Sequence, residues 1–532
     1  MKNSIKKVSL LGLTVAMAAS SCTKLNEGLN ATTTQANAEV FLAATADLNV
    51  LIQSAYDGLQ TFQNQDGPTS LFENSTDESL VPTRGGDWDD NGVWRVIHSH
   101  QWNADHAQVA SSFNGLLQLV FNATNILTFI PRSTAPNKLQ IEAEAKFIRA
   151  FAMFTVLDLY GQVPFRQPGE NLLNPPTVLK GTEAINFLIS EVKSIRANLP
   201  NSSGPSTAGR ATKDAADVML MKMLLQKATY ANRSQLPYSF AAADMNEVVT
   251  LADGIINSGR YTLSANVWDN YAPNNSSIST ENILVGLNIG GSRGGGVRSA
   301  WYKTNHYNMN KSGWNGFATL AEVYDRFEAT DTRRGVVYPT GVSSLPNPGN
   351  RINTGFLIGQ QYDLSNDAAL KDRKGAPLSF TRAVASVESG NNLENTGIRV
   401  YRYPIDYAPA NDNNADNDYV FYRYADVLLL KAEAQLRGGT GGAAQALAGV
   451  NTLRTRRGAT ALVGSVSLAQ MLDERQREFY WDGWRRMDQI RFGTFLASRT
   501  LKPTVSDAKY LYYPIPTGAL AVNPNLTQNP GY

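Results

Sequence analysis

Residues 139–164 read LQIEAEAKFIRAFAMFTVLDLYGQVP. Ile141, Ala145, Ile148, Ala152 and Leu159 recur at spacings of three, four or seven, and Phe147, Phe151 and Phe154 fill a neighbouring face. A helix apolar over so much of its girth keeps almost no side for solvent, so it must lie buried among other helices. Gly161 supplies a C-cap signal and Pro164 ends the run. The same period predicts helices over 38–59, 108–129, 182–199, 212–231 and 241–257. Later ones are predicted over 424–437, 443–457, 467–479 and 483–492.

Several of these come as helix, short turn, helix. The stretch 108–129 precedes 139–160, and 425–437 meets 442–456 across Gly438-Gly439-Thr440-Gly441. Such pairs are similar to tetratricopeptide units, although no regular repeat is present in the sequence. Between the helices lie polar stretches rich in Gly, Asn and aromatics. Residues 67–105 hold Trp88, Trp94 and Trp102, and residues 266–316 hold Trp268, Trp301, Tyr302, Tyr307 and Trp314. Residues 346–418 read as largely irregular, with a short strand expected near Ile398 to Tyr403. Long irregular insertions in a helical body carry function or are disordered, and so many aromatics argue against disorder.

The first insertion reads Asp77-Glu78, then Arg84-Gly-Gly-Asp87-Trp88-Asp89-Asp90-Asn91-Gly92-Val-Trp94. A sugar offers apolar C–H faces ringed by hydroxyls. Indole and phenol rings stack on the first, while Asp, Asn and Arg side chains bond the second. The second insertion repeats that chemistry in Arg298, Trp301, Tyr302, Trp314 and Asn315. The two are expected to face one another across a single site for an uncharged, polyhydroxylated ligand. The competing reading pins each loop to the body by its tryptophans, and Phe317, Leu320 and Tyr324 after Trp314 fit that reading. No metal site is expected. Asp87, Asp89 and Asp90 as calcium ligands, and His98 with His100 as zinc ligands, are the weaker alternatives. The run Asp412 to Asp418 resembles an EF-hand start, lacks its Gly and closing Glu, and reads as a solvated loop.

Nothing reads as an enzyme. There is no Gly-x-Ser-x-Gly elbow, phosphate loop or His-Glu-x-x-His signature. Glu474, Glu478, Asp482 and Asp488 suggest a glycosidase pair, but Arg475, Arg477, Arg485, Arg486 and Arg491 interleave with them. Such a mixture predicts salt bridges tying helices together. No cofactor is expected.

The chain has 532 residues, of which 18% are charged, 42% hydrophobic and 9% aromatic, with a formal charge of +2. That charge leaves no basic field for nucleic acid and no polybasic membrane anchor. Residues 1–21 combine Lys2, Lys6 and Lys7 with a short apolar run and the small residues before Cys22, the pattern of a secretory signal. Cys22 is the single cysteine, which excludes an intramolecular disulfide. Its position resembles the acyl acceptor of a bacterial lipoprotein, so residues 22–37 are expected to form a lipidated tether. No other segment is expected to be long and apolar enough to cross a bilayer.

The ordered motifs resemble the SusD/RagB family of Bacteroidetes nutrient-binding lipoproteins. They are Glu142 to Phe154 with Leu159 to Pro164, then Tyr422 to Ala434, Asn451 to Gly458, Glu474 to Arg491, and Tyr513 to Tyr532. The resemblance implies one mostly α domain over 38–532, a tetratricopeptide-like scaffold of helix pairs with long irregular excursions forming a ligand face. Its N-terminal part would run to about 260, the variable ligand face over about 261–418, and the C-terminal helical part from about 419. It further implies a lipid-anchored protein of the cell outer membrane, facing the exterior. Such a protein binds an oligosaccharide without catalysis and delivers it to a SusC-like, TonB-dependent barrel. The ligand-binding residues expected here are Asp77, Arg84, Asp87, Trp88, Asp89, Trp94, Arg298, Trp301, Tyr302, Trp314 and Asn315. A peptide-binding member of the same family is the nearest alternative, and a secreted glycoside hydrolase the next.

Overall fold

A computed structural model describes residues 47–290, 296, 299–345, 351–408 and 415–532. The expected signal, Cys22, the tether, Arg298 and Asp412 to Asn414 lie outside the described residues. Residues 47–131 and 135–532 form one compact unit, and everything below concerns that unit.

Each helical period becomes a helix. These are, together with the short α2 (Pro68–Glu73) and α3 (Val93–His98) that form inside the stretch read as loop-like, α1 (Leu48–Asp57), α4 (Ala107–Phe129) and α5 (Lys138–Tyr160). Then come α6 (Gly181–Ile195), α7 (Lys213–Ala231), α8 (Ala242–Asn257), α9 (Tyr424–Leu436), α10 (Gly442–Arg456), α11 (Leu468–Phe479) and α12 (Arg485–Arg491). Their ends follow local chemistry. Gly161 caps α5 at φ 70°, and a Cβ there would meet the Tyr512 ring at 2.9 Å, so glycine is required twice over. The Thr212 hydroxyl accepts from the Ala215 amide at the start of α7, and Ser467 with Gln470 forms a capping box on α11.

Helices adjacent in sequence pack as pairs, α4 on α5, α5 on α6, α6 on α7, α7 on α8 and α9 on α10, while α8 also packs on α9. The mostly α, tetratricopeptide-like scaffold expected from the sequence is what forms. One expectation needs correction. The stretch Ala107–Arg132 is long and apolar enough to cross a bilayer by length and composition. Within the unit, however, Val109, Ser112, Phe113, Leu116, Val120, Ala123 and Leu127 of α4 are buried at spacings of three and four, as in a core helix.

The irregular excursions are not solvent loops. Short strands stitch them together: β1 (Asn282–Gly286) pairs with β2 (Tyr419–Arg423), which runs directly into α9. Thr354–Leu357 lies between Gly335–Val336 and Arg399–Tyr401 in a three-stranded antiparallel sheet, which includes the expected strand near Ile398. Around these strands sits a second hydrophobic core that includes Trp94, Trp268, Tyr271, Trp301, Phe317, Phe356, Tyr401 and Tyr480. Residues 415–418 also correct the sequence reading: Asn417 and Asp418 are buried, and Asp418 accepts from the Asn288 amide at 2.9 Å.

The Glu/Arg segments become a buried ionic lattice. Arg333 reaches Glu474 at 2.7 Å and Glu478 at 3.0 Å, and Arg457 joins Glu281 and Glu478. Arg423 from β2 reaches Glu478 and Glu281, and Arg402 pairs with Asp482. Burial alone would raise the Glu478 pKa, but Arg457, Arg423 and Arg333 hold it well below the usual carboxylate range. Glu433 behaves alike. Burial raises its pKa, yet Arg491 (2.7 Å) and Arg437 (2.7 Å) bring it from its usual 4.5 down to about 2.

A carboxylate with a depressed native pKa stabilises the fold above its unfolded pKa, and that contribution disappears as pH falls through the native value. Glu433→Gln is therefore expected to lower unfolding stability by roughly 3–5 kcal/mol at pH 7, because Arg437 stays buried without its anion and Arg491 keeps only Asp488. In denaturant titrations at several pH values, the gap between variant and parent should close as pH falls from about 4.5 toward 2. A gap constant over that range would show that charge is not what Glu433 contributes.

Candidate functional site

The insertion around Trp88 and the one around Trp314 meet directly. Leu80 and Ala318 exchange backbone hydrogen bonds of 3.0 Å, and the Thr319 amide donates to the Ile398 carbonyl. A two-residue turn at Gly85-Gly86 is closed by mutual bonds between Arg84 and Asp87, with Gly85 at φ 69°. Past it the chain holds Trp88, Asp90 and Asn91 at positive φ, which is strained backbone kept in place by its surroundings.

Arg84 supplies much of that restraint. Its guanidinium is buried, donates to the Asn315 and Gly316 carbonyls at 2.6 Å, and reaches the Thr396 carbonyl at 2.8 Å. Burial lowers its pKa to about 10, since no carboxylate is bonded to it. Asn315 sits at φ 53°, donates its amide to the Asn305 carbonyl at 2.6 Å and takes a bond from Arg399. The Trp88 indole N–H donates to the Trp314 carbonyl at 2.7 Å, and the Trp314 amide to the Tyr302 carbonyl at 2.7 Å.

This framework sorts the expected residues into two sets. Asp77, Arg84, Trp94, Trp301 and Asn315 are buried, a correction to their expected place on the ligand face. Asp77 is clamped by Arg485 and Arg326 and accepts from Gln489, so its carboxylate is saturated by protein. Burial would push its pKa up, yet those guanidiniums hold it well below the normal range. Trp94 spends its N–H on Asp90 and packs edge-on against Phe317, and Trp301 is 1% exposed.

The second set reaches solvent. Trp314 is 37% exposed, and its ring stands 5.6 Å from the half-buried Tyr302 ring at an interplanar angle of 39°. Trp88 is half-buried beneath the same loop. Asp87 is partly exposed and accepts from the Tyr307 hydroxyl (2.7 Å) and from Arg373 (2.8 Å), while Asp89 pairs with Arg95. The sequence reading missed Arg373, which lies 3.9 Å over the Tyr307 ring and ties Asp87 to Glu394. No motif surrounds it. Its role follows only from the approach of two segments nearly 290 residues apart.

The arrangement offers apolar ring faces edged by a carboxylate, a phenol and a guanidinium, and no reactive group. Asp87, Asp89 and Asp90 are each engaged by cations or N–H donors, and His98 is buried with its pKa lowered to about 4. Among the described residues no cluster of His, Cys, Asp and Glu is arranged to hold a metal. Burial raises the carboxyls of Glu73, to about 7, and Glu78 above their usual range, as it does Asp66, Asp217 and Asp269, but Glu73 and Glu78 are closed off from solvent.

Gly316 is the packing key to this site. A Cβ there would meet Trp88 Cε2 at 2.4 Å and the Lys303 carbonyl at 2.9 Å. Gly316→Ala is expected to cost about 1–3 kcal/mol through overpacking. It should also change the near-ultraviolet dichroism of the indoles. Gly86→Ala, with nothing within 4 Å of the new methyl, should stay within about 0.5 kcal/mol of the parent. Equal effects would mean that the Trp88–Gly316 contact does not set the loop.

Comparison with known proteins shows what the chain is similar to. Residues 266–504 match the family model described as SusD family. The chain is 26% identical to starch-binding protein SusD of Bacteroides thetaiotaomicron, over 93% of this chain and 92% of that protein. It is 25% identical to SusD-like protein P25 of Formosa agariphila, over 79% and 78%. A SusD superfamily structure from Parabacteroides distasonis, 19% identical, superimposes with a TM-score of 0.69 over 91% of this chain and 98% of that one. Surface glycan-binding protein A from Bacteroides thetaiotaomicron, solved with laminarihexaose, is 18% identical with a TM-score of 0.62, over 91% and 98%.

Proposed function

We propose that this chain, similar to the SusD family over residues 266–504 and to starch-binding protein SusD over most of its length, is a SusD-like protein that binds carbohydrate at the cell surface without catalysis and passes it to a transporter. The observation that carries the reading is the exposed Trp314 indole set at an angle to Tyr302. A pyranose chain lies flat against such a pair, and Asp87, Tyr307 and Arg373 stand at its edge to bond hydroxyls. Trp88 and Asp89 complete the set retained from the sequence, Trp88 by supporting the loop from below.

Absence of catalysis is supported by the carboxylates. Glu474, Glu478 and Asp488 are buried in ion pairs that depress their pKa values, whereas a glycosidase acid needs a raised one in an open cleft. The names of the relatives, starch-binding and glycan-binding, favour sugar over peptide. Delivery to a SusC-like, TonB-dependent barrel and anchorage to the outer membrane through lipidated Cys22 complete the proposal, with 38–532 acting as one domain.

Trp314→Ala should weaken oligosaccharide binding at least tenfold in isothermal titration, the loss of a central aromatic anchor. Prolonged incubation should release no reducing ends, and a panel of peptides should give no heat. Undiminished affinity in the variant sinks the site assignment, and new reducing ends sink the non-catalytic reading. For the anchor, cells fed radiolabelled palmitate should label the parent chain but not Cys22→Ser, whose label would have to vanish from the membrane fraction.

A further inference from the structure

A cavity of about 470 Å³ opens beside Met309 and Asn310, in the segment that joins Tyr302 to Trp314. Its volume falls within the ~300–1,000 Å³ usual for small-ligand pockets. Phe356, Leu357 and Tyr407 contribute apolar wall, and two guanidiniums, Arg334 and Arg351, line it as well.

Both arginines are stacked on tyrosines of the same cavity. Arg334 lies 4.2 Å from the Tyr324 ring centre and Arg351 lies 3.1 Å from that of Tyr362. Stacking engages the flat face of a guanidinium and leaves its N–H fork pointing sideways, free to bond. The fork has five donors, and here they are not used up. Arg351 pairs with Asp367 at 3.1 Å, but its Nη1 is buried with no partner among the described residues. The Arg334 side chain donates to the Tyr324 hydroxyl and has no other hydrogen bond or ion pair among the described residues. Neighbouring Arg382, by contrast, is matched by a bidentate bond to Asp325.

Asp367 is the one carboxylate on the lining among the described residues, and its side chain is 64% exposed. That anion pairs with Arg351, and Arg334 has no carboxylate partner among the described residues. Arg333, in the buried ionic lattice, is by contrast matched by Asp331, Glu474 and Glu478. The unmatched pair beside the aromatic site marks a place for a negative group supplied from outside.

We propose that this cavity binds an anionic substituent of the ligand, a uronic acid carboxylate or a sulfate ester, held by the forks of Arg334 and Arg351. The inference rests on the carbohydrate reading above and narrows it to acidic glycans, where the sequence alone pointed to an uncharged one.

The test titrates the full chain with trigalacturonate, a sulfated carrageenan tetrasaccharide and neutral maltotriose. At least one acidic probe should bind about tenfold or more tighter than maltotriose, the scale of a charge-assisted pair. Its affinity should fall as NaCl rises from about 0.05 to 0.5 M. Which acidic probe is preferred separates carboxylate from sulfate. Arg334→Gln and, independently, Arg351→Gln should abolish the preference while leaving any Trp314-dependent binding of the neutral probe unchanged. The inference is overturned if neither acidic probe binds, if the neutral one binds as well, or if both variants keep the full preference. Neutral binding that still depends on Trp314 would leave the carbohydrate reading standing while this inference fell.

Discussion

The rest of the structure depends on a set of arginine–carboxylate pairs closed inside the protein. Glu478 of α11 accepts from Arg333, Arg423 and Arg457, and Glu281, just before β1, shares two of those three. Such a lattice contributes little net stability over a well-packed apolar core, because each charge must first be stripped of water. What it contributes is placement. A guanidinium bonds only along its fork, so moving α11 relative to β2 or to the segment around Arg333 would leave a buried charge unpaired. The lattice therefore fixes where the irregular excursions leave the helical body, and with it the position of everything they carry.

Those excursions hold a core of their own. Trp268, Trp301, Tyr271 and Tyr401 are among the largest buried side chains, and all lie between residue 261 and residue 418. A long insertion without regular structure still has to satisfy its backbone polar groups. Here two- to five-residue strands and side chains such as Arg84 do so. These bonds hold the loop bearing Trp314 in one shape, and a site held in shape before binding lowers the entropic cost of ordering a flexible ligand.

The helices were legible because their signal is local. In α5 the apolar period, Gly161 and Pro164 together mark both the burial and the end of the element. The ion pairs of Glu474, Glu478 and Asp488 were legible as a class, though not as individual partners, since Arg333 and Arg423 come from far away in sequence. The site was half legible. Composition marked the two loops, but it did not separate Trp301, which fills the second core, from Trp314, which stands 13 residues later at the surface. The same residue type serves either purpose, and only the third dimension assigns it. Arg373 had no local signal at all, because its partners Asp87 and Glu394 meet it only after folding.

The arginines of the ligand face show how the surroundings assign purpose to identical side chains. Arg84 and Arg399 are both buried without a bonded carboxylate, and burial lowers the pKa of each. Their donors, however, are largely spent on carbonyls: Arg84 on Asn315, Gly316 and Thr396, Arg399 on Thr396, Gly397 and Glu394. A guanidinium saturated by carbonyl dipoles holds a loop in shape and has few directions left in which to recognise anything. Arg334 is the opposite case. Its face is covered by Tyr324, one donor of its fork is bonded to that ring's hydroxyl, and the rest is left open toward a cavity. The difference lies in which surface of the cation the protein chose to cover, and that choice separates an arginine that builds the site from one that is left to bind.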